Sequence, residues 1–271
     1  MTKLTIYGGD RITYQGVWTD KEIFGKMPKG VKLKETPKFK TLTDVKRFVG
    51  FNMLSNPQKM PEEAFNIPAQ MCKAGAFMIH VKGSVCSICY AYDRGRYIFQ
   101  NVKDAMLRRY NYAMYSPHFV DVMSWLINHR RGGKSHITWF RWFDSGDIQD
   151  EKMLDNICKI CRATPNTHHW LPSKEWKIVT KYVHSNKLPK NLTIRLSGLM
   201  IDGQPPTKLA LKLGLTTSTV ITHETYDKIS FKCPSSKQDG HCNGFTRKKG
   251  AKGGCRACWS GGVVNVPYLY H

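Results

Sequence analysis

HITWFRWFDSGDIQDEKMLDNICKICRATPNTHHWLP, residues 136–172, decides the fold class. HITWFRWF is rich in aromatic and β-branched residues and predicts a strand. EKMLDNICKICRA predicts a helix, and HHWLP a second, short strand. A strand, a helix and a strand in succession make a right-handed βαβ unit, and hence a parallel sheet.

The alternation continues on both sides of this stretch. Upstream, AFMIHV (76–81) predicts a strand, RYIFQNVKDAMLRRYNYAMY (96–115) a long helix and HFVDVMSWLINHRR (118–131) another. Downstream, KEWKIVTKYVHS (174–185) predicts a helix with Ser173 as its cap, and LTIRLSG (192–198) a strand. TKLALKLG (207–214) then predicts a short helix, TTSTVI (216–221) a strand and VVNVPYLY (263–270) a last one. About six strands are too few for a closed eight-stranded barrel. The expected fold is therefore α/β, an irregular or partial (β/α) TIM-like barrel.

The chain of 271 residues is expected to form a single domain, 1–271. Residues 1–70 read as an irregular extension, punctuated by Gly8-Gly9, Pro28, Pro37, Pro57, Pro61 and Pro68. Within it LTDVKRFVGFNML (42–54) predicts one helix, capped by Thr43 or Asp44. Residues 71–271 read as the barrel core, with a Cys-rich loop over 232–260. At 41% hydrophobic and 11% aromatic the composition supplies a core. MTKLTIYGGD carries no charged-then-apolar leader, and no run approaches a membrane span. An intracellular, reducing compartment with no membrane partner is expected. There, nine cysteines serve as metal ligands rather than disulfides. Net charge is +22, from 42 Lys and Arg against 20 Asp and Glu. That balance makes nucleic acid, a nucleotide or another polyanion a candidate partner. The basic residues are scattered, with local concentrations at Lys26 to Arg47 and Lys232 to Arg256.

Cys72, Cys86 and Cys89 carry the most specific chemistry. A CxxC pair presents two thiolates from one tight turn, and a third cysteine upstream adds another corner. Three cysteines suit a [4Fe-4S] cluster with one iron open to a small anion, a sulfide or a substrate. The alternative is a zinc site completed by a distant residue such as His80. AFMIHV places the pair after a strand, where α/β proteins build their active sites.

A second group, Cys233, Cys242, Cys255 and Cys258, lies in a Gly- and Lys-rich loop that buries little by itself. It reads as a metal staple, with zinc, a second cluster or one thiolate lent to the first cluster as the alternatives. His241 could replace one of the four. Cys158 and Cys161 share a helix face and read as core packing. Of His168 and His169 one must point inward. Asp144 and Asp147, after a strand, are candidates for acid/base or substrate-binding roles, with helix capping by Asp147 or Asp150 as the alternative. Lys174 and Arg195, at later strand ends, could place positive charge beside an anionic substrate. The aromatic residues of ITWFRWFD read as core and lining.

At these residues the chain resembles the phage gene product 88 family of viral iron–sulfur barrel proteins. The resemblance runs over about residues 70–260. It rests on Cys72, Cys86, Cys89-Tyr90-Ala91, Gly95, Tyr97, the SGD at Ser145 to Asp147, the stretch Pro165 to Lys174, IRLSG, and the cysteines ending in CRACW at Trp259. It implies a TIM-barrel-like fold with a [4Fe-4S] cluster on Cys72, Cys86 and Cys89, in a protein of the infected cell's cytoplasm. A looser likeness to radical SAM enzymes lacks their compact CxxxCxxC loop. Non-redox desulfidases, in which an open iron accepts sulfide, fit the same three-cysteine pattern.

Overall fold

The computed structural model describes residues 3–4, 16–17, 38–222, 230–237, 242 and 254–270. At its centre six strands form one all-parallel sheet: β1 (Ala64–Phe65), β2 (Trp139–Trp142), β3 (His168–Ser173), β4 (Leu192–Ser197), β5 (Thr216–Ile221) and β6 (Asn265–Leu269). Each strand pairs with the next in chain order. Among the described residues eight α-helices connect or flank them: α1 (Leu42–Val49), α2 (Lys73–Met78), α3 (Tyr90–Asp93), α4 (Gln100–Tyr115), α5 (Phe119–Asn128), α6 (Glu151–Ala163), α7 (Trp176–Ser185) and α8 (Thr207–Lys212). Among the described residues no helix is long and apolar enough to cross a membrane.

The strand period of two sorts side chains onto two faces. Phe140 and Trp142 of β2, Leu171 of β3 and Leu192, Ile194 and Leu196 of β4 join one core with α5, α6 and α7. Cys158 and Cys161 lie in that core with no exposure, as packing groups. Trp139, Trp170 and Val266 point to the other face, where the segment around Trp259 covers them. His169 points inward, accepting from Trp142 Nε1 at 3.2 Å and lying 2.8 Å from Thr164 Oγ1. His168 is exposed and stacks on Trp139.

Several expectations need correction. AFMIHV is not a strand: Lys73–Met78 is helical, none of it is buried, and Phe77 is 75% exposed. A short apolar run has no periodicity to tell strand from helix, and this one lacks a neighbouring strand to pair with. The first sheet strand is instead Ala64–Phe65, within the stretch expected to be irregular. Val45, Phe48 and Val49 of α1 also pack into the main core, so the covering extension supplies core residues. The cap of α1 is Thr41, whose hydroxyl accepts from Asp44 N while Asp44 accepts back, a capping box. Ser173 ends β3 rather than capping α7. Its hydroxyl accepts from Glu175 N at 3.0 Å, and Glu175 holds the cap position. Asp150 caps α6, accepting from Met153 N at 2.7 Å. Gly8-Gly9, Pro28 and His241 lie outside the described residues, as do parts of both basic concentrations.

The turn after β2 depends on Gly146. Its φ is +86°, and a Cβ there would run into Ile67 Cγ1 and stand 2.9 Å from the Ile67 carbonyl oxygen. Gly146→Ala should therefore cost about 2–4 kcal/mol, combining left-handed strain with overpacking. Urea denaturation checks this, and a loss of less than about 0.5 kcal/mol would contradict the geometry.

Candidate functional site

Residues at or just beyond the carboxyl ends of β2 to β6 enclose a cavity of about 390 Å³. Phe143 to Asp147 follow β2, Ser173 and Lys174 close β3, and Ser197 and Gly198 close β4. Thr219 comes from β5 and Tyr268 from β6. Cys72, Cys86 and Cys89 line the same cavity. The expected placement of the cysteines at the end of a strand is not found; they share the cavity with strand-end residues from short helical segments instead. Cys72 precedes α2, Cys86 opens the 3₁₀ turn Cys86–Ile88, and Cys89 precedes α3.

Local bonds hold these short segments where a ladder would hold a strand. Ala74 N donates to Glu175 Oε1 at 2.7 Å, tying the start of α2 to the cap of α7. Val85 N donates to Leu199 O at 2.8 Å, and Ile201 N to Gly83 O at 2.9 Å, which fixes the CxxC turn to the loop after β4. Gln70 Nε2 donates to Tyr92 O at 2.6 Å and joins the two cysteine segments. Gly75 leaves space beside Cys72: a Cβ there would lie 2.7 Å from Cys72 Cβ and 3.8 Å from its Sγ.

Burial pushes the Cys72 thiol well up; Asp147, Cys89 and Cys86 add to this and Lys174 opposes it. Burial also raises Cys86, again opposed by Lys174. A thiolate in such surroundings needs a compensating cation. Asp147 is pushed up to about 6 by burial, against the pull of hydrogen bonds from Lys174 N, Ser173 and Ile148 N. Its Oδ2 accepts from Lys174 N at 2.7 Å and its Oδ1 from Ile148 N at 2.8 Å. Asp144 is engaged elsewhere, with Arg96 NH2 2.6 Å from its Oδ2. Phe143, just before it, has φ of 55°, an uncommon conformation for a non-glycine residue.

Arg195 is not at this site. It is fully buried, and its guanidinium donates to the carbonyls of Ala257, Cys258, Ser260, Val263 and Thr217 at 2.6–3.1 Å. On the strand face turned away from the helices, with five acceptors in reach, it fastens the C-terminal segment to the sheet. His80 is exposed and is not among the cavity's lining residues.

The C-terminal cysteines lie near one another and outside the cavity's lining. Burial, with Cys233 and Cys255 adding to it, pushes Cys242 up to about 11; Arg141 and Arg256 oppose. Cys258 is pushed up to about 12 by burial, and its Sγ lies 3.1 Å from the hydroxyl of Tyr268, which itself lines the cavity. Among the described residues no group of three or more His, Cys, Asp and Glu side chains stands at the spacing of a preformed metal site.

Sequence reasoning missed Arg141, Trp170 and Tyr268 as lining. The available signal was the strand period: Trp139 and Arg141 alternate with Phe140 and Trp142, so the lone cation of that strand had to face away from the helices.

The family model described as gene product 88 matches residues 31–261. No curated protein and no solved structure matches the chain.

The raised Asp147 has a measurable consequence. From an ordinary value near 3.8 to about 6 when folded, its neutral form contributes stability that is fully present below about pH 4. That contribution is lost as pH rises through about 6. Relative to Asp147→Asn, the wild type should therefore lose up to about 3 kcal/mol between about pH 4 and 7. Urea melts of both proteins across that range test the sign, and a pH-independent difference would contradict it.

Proposed function

This chain belongs to the gene product 88 family, and we propose that it is an iron–sulfur enzyme whose cavity holds a [4Fe-4S] cluster on Cys72, Cys86 and Cys89. The observation that carries the reading is the sharing of one cavity by these three cysteines with Asp147 and Lys174. The residues present fit the group in three ways. Their thiols are a soft donor set, Gly75 keeps the space beside Cys72 clear, and Lys174 offsets thiolate charge. When bound, the cluster would supply Lewis-acid or one-electron chemistry at an iron without a protein thiolate.

The chain's own residues do the rest. Lys174 draws an anionic or thiolated substrate toward the cysteines. Asp147, with a value near neutrality, can hold or release a proton within the cavity. Asp144 orients Arg96 and the Tyr90 hydroxyl, which donates to its carbonyl oxygen at 3.2 Å. Sulfur transfer of the desulfidase kind is the reaction class best suited to these groups. The sequential parallel strands, with helices on one face, support closure into an irregular (β/α) barrel. Cys233, Cys242, Cys255 and Cys258 would hold a structural zinc. The site of action would be the cytoplasm of a phage-infected cell.

Anaerobically purified protein should be brown, with about four irons and four sulfides per chain. Cys72→Ala, Cys86→Ala and Cys89→Ala should each bleach it. Colourless protein with one zinc per chain on those cysteines would overturn the reading. Retention on nucleic acid that weakens with salt and survives loss of iron would instead favour a binding protein.

Cys255→Ser and Cys258→Ser should lower the melting temperature while the soluble fraction keeps its iron. Loss of colour in a folded variant would make one of them a fourth cluster ligand.

A further inference from the structure

Three buried polar atoms without a hydrogen-bond partner line the same cavity: Arg141 Nε, Trp170 Nε1 and Ser145 Oγ. Trp170 is 5% exposed and Ser145 4%. An unsatisfied buried donor costs about 1–3 kcal/mol, so three on one wall imply something that satisfies them. We propose that Arg141, the indole N–H of Trp170 and the Ser145 hydroxyl bind the oxyanion end, carboxylate or phosphate, of the cavity's ligand.

The geometry favours an anion on several grounds. Arg141 and Trp170 are register partners on β2 and β3, and the guanidinium carbon sits 4.6 Å from the centre of the Trp170 ring. That contact uses the ring face, while the N–H bonds of both groups lie in their own planes, at the edges. Among the described residues Arg141 makes no ion pair; its NH1 meets only the Met60 sulfur, at 3.2 Å. The carboxylates nearby are committed elsewhere, Asp144 to Arg96 and Asp147 to two backbone N–H groups. A guanidinium with free edge donors matches two oxygens of a carboxylate or phosphate. Lys174 lines the same cavity and adds positive charge. The assignment rests on the cavity being the active site, and it gives Arg141 the role that position in the sequence suggested for Arg195.

Titration calorimetry of the full-length protein as purified, with inorganic phosphate and with acetate as probes, tests the assignment. At least one should bind saturably, and the better of the two identifies the oxyanion type. Arg141→Gln should weaken that binding at least tenfold and Trp170→Phe about threefold or more. Lys187→Gln, at an exposed position away from the cavity, should leave it unchanged. Absence of saturable binding of either anion overturns the assignment. So does unchanged affinity in Arg141→Gln accompanied by lost metal or lowered melting temperature, which would make Arg141 a counter-ion for the C-terminal cysteines. If Arg141→Gln does not fold, Trp170→Phe and Ser145→Ala decide, and unchanged affinity in both overturns it. Iron measured in the same samples separates the two readings. Anion binding without iron would fault the cluster and leave this site standing.

Discussion

The hydrogen bond from Ala74 N to the Glu175 carboxylate, 2.7 Å long, is the constraint on which the site depends. Cys72 belongs to no strand, and α2 has no buried residue that would anchor it. A six-residue helix of that kind has little stability of its own. Glu175, 8% exposed at the cap of α7, holds it in place from the sheet side. The CxxC turn is held on the same principle, by backbone bonds to Leu199 and from Ile201 just after β4. The sheet thus provides a rigid rim, and the cysteines are pinned to it by single bonds from the loops. Loops carried on a rigid scaffold are the usual place for function.

The sheet itself was legible because its strands are long enough to show pattern. Trp139–Trp142, His168–Ser173, Leu192–Ser197, Thr216–Ile221 and Asn265–Leu269 were all expected as strands, and Glu151–Ala163 matches its expected helix end to end. β1 was not legible, since two residues, Ala64–Phe65, give no alternation to read. They are fixed by pairing with Arg141 and Trp142, a tertiary fact. AFMIHV failed for the converse reason: its apolar residues suggested burial, yet Phe77 is exposed beside the cavity's cysteine wall.

The site was legible in its cysteines and less so in its charges. Cysteine spacing singled out Cys72, Cys86 and Cys89, and all three line the one cavity. Sequence cannot distinguish two strand arginines that both face away from the helices. Arg195 lies where backbone carbonyls of 257–263 converge, and Arg141 lies where the strand ends open into the cavity. Arg141 is level with Trp170 and Thr193, and Arg195 with Pro172, so the two differ in what covers them, which depends on pairing rather than on pattern.

The C-terminal segment connects both arginines to the second cysteine group. Arg195 fastens the carbonyls of Ala257, Cys258, Ser260 and Val263, and Trp259 Nε1 donates to Phe140 O at 2.9 Å. Tyr268 lines the cavity and meets the Cys258 sulfur, and Arg141 lines the cavity and acts electrostatically on Cys242. The C-terminal segment therefore adjoins the site through these two residues. Cys72, Cys86 and Cys89 line the cavity themselves. The two cysteine groups therefore act on the cavity differently, the C-terminal one through Tyr268 and Arg141 and the first one directly.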